Sequence, residues 1–172
     1  MEYLPDLGEL DFVPHLVALT IAFLLALPIG WNREREDRSA GLRTFPLVAV
    51  ASCGFVQAAE KFSTGDIDVM GGVLEGLITG VGFIGGGAIL KHGTSVLGTA
   101  TAASLWVTGA IGVSVGLGAL DVAVMLSLIT GATLFILSPM IATRGDVAAQ
   151  VDENDENGVE SDPDDSVAGK AN

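Results

Sequence analysis

Five apolar stretches of 16 to 22 residues follow one another along the chain, separated by polar or Gly/Pro punctuation, and they restrict the fold more than any other feature. A helix needs about 20 mostly apolar residues to cross a bilayer. Phe12–Trp31 meets that without a formally charged residue, and Val69–Leu90, Leu97–Leu117 and Leu120–Ile141 meet it too. Thr44–Ala59 is shorter and borrows residues up to Phe62. Strands are a poor alternative, because the runs are too long and lack period-two alternation. The expectation is an all-α membrane protein with five transmembrane helices.

The segment ahead of the first stretch carries Glu2, Asp6, Glu9 and Asp11 but no Lys or Arg. A secretory signal has a basic leader and a shorter apolar core. The first stretch is therefore expected to be a retained helix, ending between Pro28 and Trp31 with the indole near an interface. Basic residues then orient the body. With the N-terminus outside, Arg33, Arg35, Arg38, Arg43, Lys91 and Arg144 fall on the cytoplasmic side and only Lys61 falls outside. The positive-inside rule thus expects N-out and C-in.

Charge divides the chain further. The formal net charge is −13, yet residues 145–172 alone hold nine acidic residues and one lysine. Three regions are expected: an external acidic leader over residues 1–11, a five-helix transmembrane domain over 12–144, and a disordered acidic cytoplasmic tail over 145–172. The tail's carboxylates do not have the spacing of an EF-hand loop. So acidic a chain lacks the footprint of a nucleic-acid binder. Its single cysteine, Cys53, permits no internal disulfide and reads as a small packing residue in the second span. Neither a nucleophile–base arrangement, a phosphate loop nor a metal-spaced cluster is present, so no enzyme, catalytic residue or cofactor is expected.

The third stretch is the richest in pattern. At about 100° per residue it puts Gly72, Glu75, Gly76, Thr79, Gly80, Phe83, Gly86 and Gly87 on one side and mainly aliphatic residues on the other. Gly72, Gly76 and Gly80 recur every four residues, the small-xxx-small pattern that lets helix backbones touch. The glycine side is therefore expected to face neighbouring helices, with Gly112 and Gly116 as a second close-packing pair in the fourth span. Glu75 shares the glycine side. A carboxylate within a span faces a bundle interior or a wet cavity, so Glu75 is the candidate cation or proton site, against the plainer reading of a carboxylate hydrogen-bonded in the bundle or reached by outside water. Lys91 and His92 are expected to cap the inner end of this span.

The first connection, residues 30–45, holds Arg33, Arg35, Arg38 and Arg43 among three acids, including Glu34. Positive charge for topology and ion pairing at the membrane surface are one reading. Capture of a partner's carboxylates or of anionic lipid headgroups is the other.

Three motifs together, GWNREREDRSAGLRT at Gly30–Thr44, TGVGFIGGGAIL at Thr79–Leu90 and TAASLWVTGAIG at Thr101–Gly112, resemble the MgtC/SapB family of membrane proteins. That resemblance implies a five-span protein of the cell membrane, linked to magnesium homeostasis through transport or its regulation. It carries the family's arginine–acid loop onto Arg33, Glu34, Arg35 and Arg38, followed by Ala40 to Thr44. Asn32 departs from the pattern where an acid is common, as do Asp37, Ser39 and Leu97 where glycine, proline and a basic residue are frequent. A C-terminal ACT-like domain, found in MgtC-type members, is not expected in the residues after Arg144, which fits the short SapB-like form.

Two modes of action follow from the resemblance. In one, the glycine faces and the arginine loop dock on a membrane transport complex or the ATP synthase. In the other, Glu75 and the glycine side line a route for Mg2+ or another cation, in a homo-oligomer. Intramembrane carboxylates are scarce, Glu75 being accompanied by Asp68 and Asp121 near the outer ends, and that favours the first. Arg43→Ala is expected to disturb folding or partner capture without reversing topology.

Overall fold

A computed structural model of the chain describes residues 12–36, 40–63, 67–92 and 95–137. The acidic leader and the acidic tail lie outside these residues, as do Arg38 and Arg144. Five helices form: α1 (Phe12–Arg35), α2 (Thr44–Ser63), α3 (Ile67–Gly87), α4 (Thr99–Gly116) and α5 (Leu120–Leu137). The bundle runs through Leu134, and residues 135–137, which continue α5, fall in a separate C-terminal unit.

Four of the helices, α1, α3, α4 and α5, are long and apolar enough to cross a membrane. Helix α2 has the length, but Gln57, Glu60 and Lys61 dilute its last two turns. It occupies the middle of the bundle, packing most extensively on α4 and α1 and also touching α3. Phe45, Ala49, Cys53 and Val56 are all buried along it.

Two element boundaries fall elsewhere than the apolar pattern predicts. Helix α1 does not stop near Trp31. It continues through Pro28 to Arg35, so Arg33, Glu34 and Arg35 are helical rather than part of a loop. Proline costs a helix one backbone hydrogen bond and crowds the preceding turn; here the helix continues regardless. The second difference is a short antiparallel hairpin between α3 and α4, β1 (Leu90–His92) with β2 (Ser95–Leu97), pairing Leu90 with Leu97 and Lys91 with Val96. Lys91 and His92 therefore belong to a strand and do not cap α3. The helix closes instead by tightened turns, Ala88 N–H to Gly85 O at 3.0 Å and Ile89 N–H to Gly86 O at 3.1 Å.

Gly98 joins the hairpin to α4. Its φ of +87° lies in the left-handed region, and a Cβ there would run into the Ala88 carbonyl oxygen. Only glycine adopts that conformation without strain.

Helix α4 carries the closest packing. Gly112 rides directly over α2, where an added Cβ would meet the Ala49 backbone and come within 2.9 Å of Ser52 Cβ. Gly116 would meet Val56 Cβ at 2.8 Å. Its buried hydroxyls turn back on their own helix, Thr108 Oγ1 donating to Ser104 O at 2.8 Å and Ser104 Oγ to Ala100 O at 2.6 Å. Such back-bonding satisfies a polar group without a partner from another helix, so α4 packs its polar stripe inwards. Ser127 Oγ of α5 donates to Leu25 O of α1 at 2.7 Å and ties the last helix to the first.

Candidate functional site

The buried face of α1 contains Ala22, Ala26, Ile29, Gly30 and Arg33, steps of three and four residues that mark one stripe of a helix. Small residues on this stripe bring α1 close to its neighbours, and the stripe ends on a cation. Arg33 is 1% exposed, the bulkiest of the fully buried side chains among the described residues. A guanidinium taken out of water must be paired and hydrogen-bonded. Asn32 Oδ1 accepts from its Nε at 3.1 Å and from its Nη2 at 2.5 Å, and Glu36 Oε2 lies 3.1 Å from Nη2, one turn on along the chain.

The next acid braces the backbone. Glu34 Oε2 accepts the Leu42 N–H at 3.0 Å, reaching across eight residues to the segment that returns towards α2. Gly41 sits tight against that carboxylate, which a Cβ at this position would strike. Gly30 lies under the same segment, where a Cβ would come within 3.2 Å of Leu42 Cα. Gly41 O then accepts from Thr44 N–H at 3.0 Å and Phe45 N–H at 3.2 Å, starting α2. The α1–α2 junction is thus a folded cluster in which Arg33, Asn32, Glu36 and Glu34 each have a fixed partner. Among the candidate loop residues, the structure brings Arg33 and Glu34 into it. Arg35 and Arg43 stay outside, and Arg43 is exposed with no ion pair to any described residue. In the sequence Arg33 is one cation among four in the first connection; the spacing Ala22–Ala26–Ile29–Arg33 is the signal that sets it apart.

The glycines of α3 are placed opposite to expectation. Gly72, Gly76, Gly80 and Gly86 are exposed, and an added Cβ at any of them would meet nothing within 4 Å. What packs on α4 is the other side, with Val81 and Gly85 buried, Gly85 close to the Ala102 backbone and Val81 against Gly109. Of the six expected packing glycines, Gly112 and Gly116 make close helix contacts within this chain. Glu75 is exposed on the glycine side of α3. Among the described residues, no three His, Cys, Asp or Glu side chains group closely enough to hold a metal ion.

The family model described as "MgtC family" matches residues 19–142 of the chain. The chain belongs to the MgtC family. Relatives include Protein MgtC of Salmonella typhimurium strain LT2, 37% identical over 131 residues, which are 76% of this chain and 53% of that one. Protein SrpB of Synechococcus elongatus is 39% identical over 112 residues, 58% of this chain and 62% of that one. Protein MgtC of Brucella abortus is 39% identical over 120 residues, 70% of this chain and 50% of that one. The chain therefore spans between half and two thirds of the length of these MgtC-family relatives. No solved structure matches it. The matched region takes in the α1–α2 junction and all of α2, α3, α4 and α5, so the buried-arginine cluster lies within the part shared with the family.

Proposed function

We propose that this multi-pass membrane protein of the MgtC family takes part in magnesium homeostasis as a regulator or accessory of a membrane transport complex, with a cation pump or the ATP synthase as partner. The observation that carries this reading is the α1–α2 junction, where Glu36 is committed to Arg33 and Glu34 to the Leu42 N–H. Carboxylates committed in this way stiffen a surface for docking and are not available to strip a hydrated cation. In this reading the protein lies in the cell membrane with five spans, α2 being carried across by the helices around it. The N-terminus is outside and the C-terminus cytoplasmic, in accord with six basic residues on one side against one on the other.

A second reading, transport of Mg2+ in its own right, has one observation in its favour. Glu75 is exposed on α3 beside Gly72 and Gly76, in a helix apolar enough to span. In a homo-oligomer that side would line a shared path, with Mg2+ as substrate.

Magnesium flux into proteoliposomes holding only this protein separates the two. The regulator reading expects flux equal to that of empty vesicles, together with improved growth at limiting magnesium when the protein is expressed in cells. Flux that Glu75→Gln abolishes would establish transport and overturn it.

A further inference from the structure

Between α2 and α3 lies a groove of about 740 Å³. Leu47 and Phe55 line it from α2, Leu77 and Ile84 from α3. Its wall on α3 is lowered by Gly76 and Gly80, where no neighbour comes within 4 Å of an added Cβ. The missing side chains thus keep a channel open along the helix pair. At one end of the groove stand Arg43 and Thr44, at the start of α2. Arg43 is exposed and has no ion pair among the described residues, so its charge is free to meet an anion.

We propose that this groove seats one anionic phospholipid, its phosphate on Arg43 and Thr44 and an acyl chain along the glycine-lowered wall. Length supports a lipid as the occupant. From Arg43 to Phe55 the lining follows α2 for twelve residues, about 18 Å at 1.5 Å each. One leaflet of a hydrocarbon core about 30 Å thick is about 15 Å deep, so the groove runs from the interface roughly to the bilayer midplane. Charge supports an anionic lipid. The guanidinium sits where a headgroup lies, and the positive end of the α2 dipole adds to it. Every other lining group except Thr44 and Ser52 is apolar or glycine, which suits a chain and offers little to a polar solute.

Native mass spectrometry of the detergent-purified full chain, titrated with palmitoyl-oleoyl phosphatidylglycerol or the matching phosphatidylcholine, tests this. The wild type is expected to retain one phosphatidylglycerol in preference. Arg43→Ala should weaken it about fivefold, the weight of one basic group against an anionic lipid, and bring it level with phosphatidylcholine. Gly80→Leu, and independently Gly76→Leu, should reduce binding of both lipids while circular dichroism shows the helices intact. Excess inorganic phosphate should not displace the lipid. Equal affinity of the wild type for the two lipids would overturn the proposal, as would unchanged binding in both glycine variants or displacement by phosphate. A dimer that Gly80→Leu dissociates would also overturn it, by making the groove an interface between copies.

Discussion

Replacing Arg33 by Met keeps most of the side-chain length and removes the guanidinium from the α1–α2 junction. Asn32 is 6% exposed, and its Oδ1 would lose both the Nε and the Nη2 donors. A buried acceptor left without a donor costs about 1–3 kcal/mol. Glu36 would lose its cation as well. Breaking a fully buried pair costs about 3–5 kcal/mol, but the Glu36 side chain is 23% exposed and water takes over part of the solvation, so its share falls towards the surface range of about 0–1 kcal/mol. Together the loss is about 1–4 kcal/mol. At roughly 2–4 °C per kcal/mol for a chain of this size, the melting temperature in detergent should fall by about 2–16 °C, read from Trp31 and Trp106 fluorescence at a fixed scan rate. Asn32→Ala takes two hydrogen bonds from the buried guanidinium but leaves its ion pair with Glu36, and Glu36→Gln removes the negative partner while keeping an acceptor, so each should also lower the melting temperature. The double variant Arg33→Met, Glu36→Gln should recover part of the single Arg33 loss in a double-mutant cycle. If Arg33→Met melted within 2 °C of the wild type, the buried cation would not organise the junction as argued.

Three further outcomes are expected. Gly112→Ala should destabilise by about 1–3 kcal/mol through overpacking against the Ala49 backbone, while Gly72→Ala, with open space around it, should be neutral or raise the melting temperature through better helix propensity. Gly98→Ala forces a side chain into φ +87° and should cost at least about 1–2 kcal/mol, measured as a lowered melting temperature. Glu34→Ala removes the acceptor of the Leu42 N–H, a loss of about 0.5–1.5 kcal/mol, and hydrogen exchange should show the Leu42 amide exchanging faster while the α4 core amides are unchanged.

Much of this fold is legible in the chain itself. Hydrophobic length alone locates α3, α4 and α5 to within a few residues of their observed starts, because an apolar run of about 20 residues has few other solutions. Boundaries governed by local chemistry are less legible. Pro28 reads as a helix end, and yet α1 persists to Arg35. Leu90–His92 and Ser95–Leu97 pair as strands, and the Gly-Thr between them in the sequence is a recognisable hairpin signal overshadowed by the apolar runs on either side. Arg33 was legible as charge but not as burial. Nothing in a list of four arginines separates them until their phase relative to Ala22, Ala26 and Ile29 is followed, and that phase carries one of them inwards.

Glycine patterns are where a sequence is most ambiguous, and α3 shows the physical cause. A repeat at every fourth residue states that a helix surface is low, not what lies on it. Gly112 and Gly116 on α4 are low because α2 occupies the space, with the Ala49 and Val56 atoms already at contact distance. Gly76 and Gly80 on α3 have the same spacing and face an open groove. The difference is decided by the opposite face of α3, where Val81 and Gly85 fit α4 closely and so fix the rotation of the helix about its own axis. Once that rotation is set, the glycine side, with Glu75 on it, must point away from α4. In water such an apolar, furrowed surface would be a liability, but in a bilayer it is a place for an acyl chain or a second helix. The contacts that hold this bundle together thus free the surface through which it meets its surroundings.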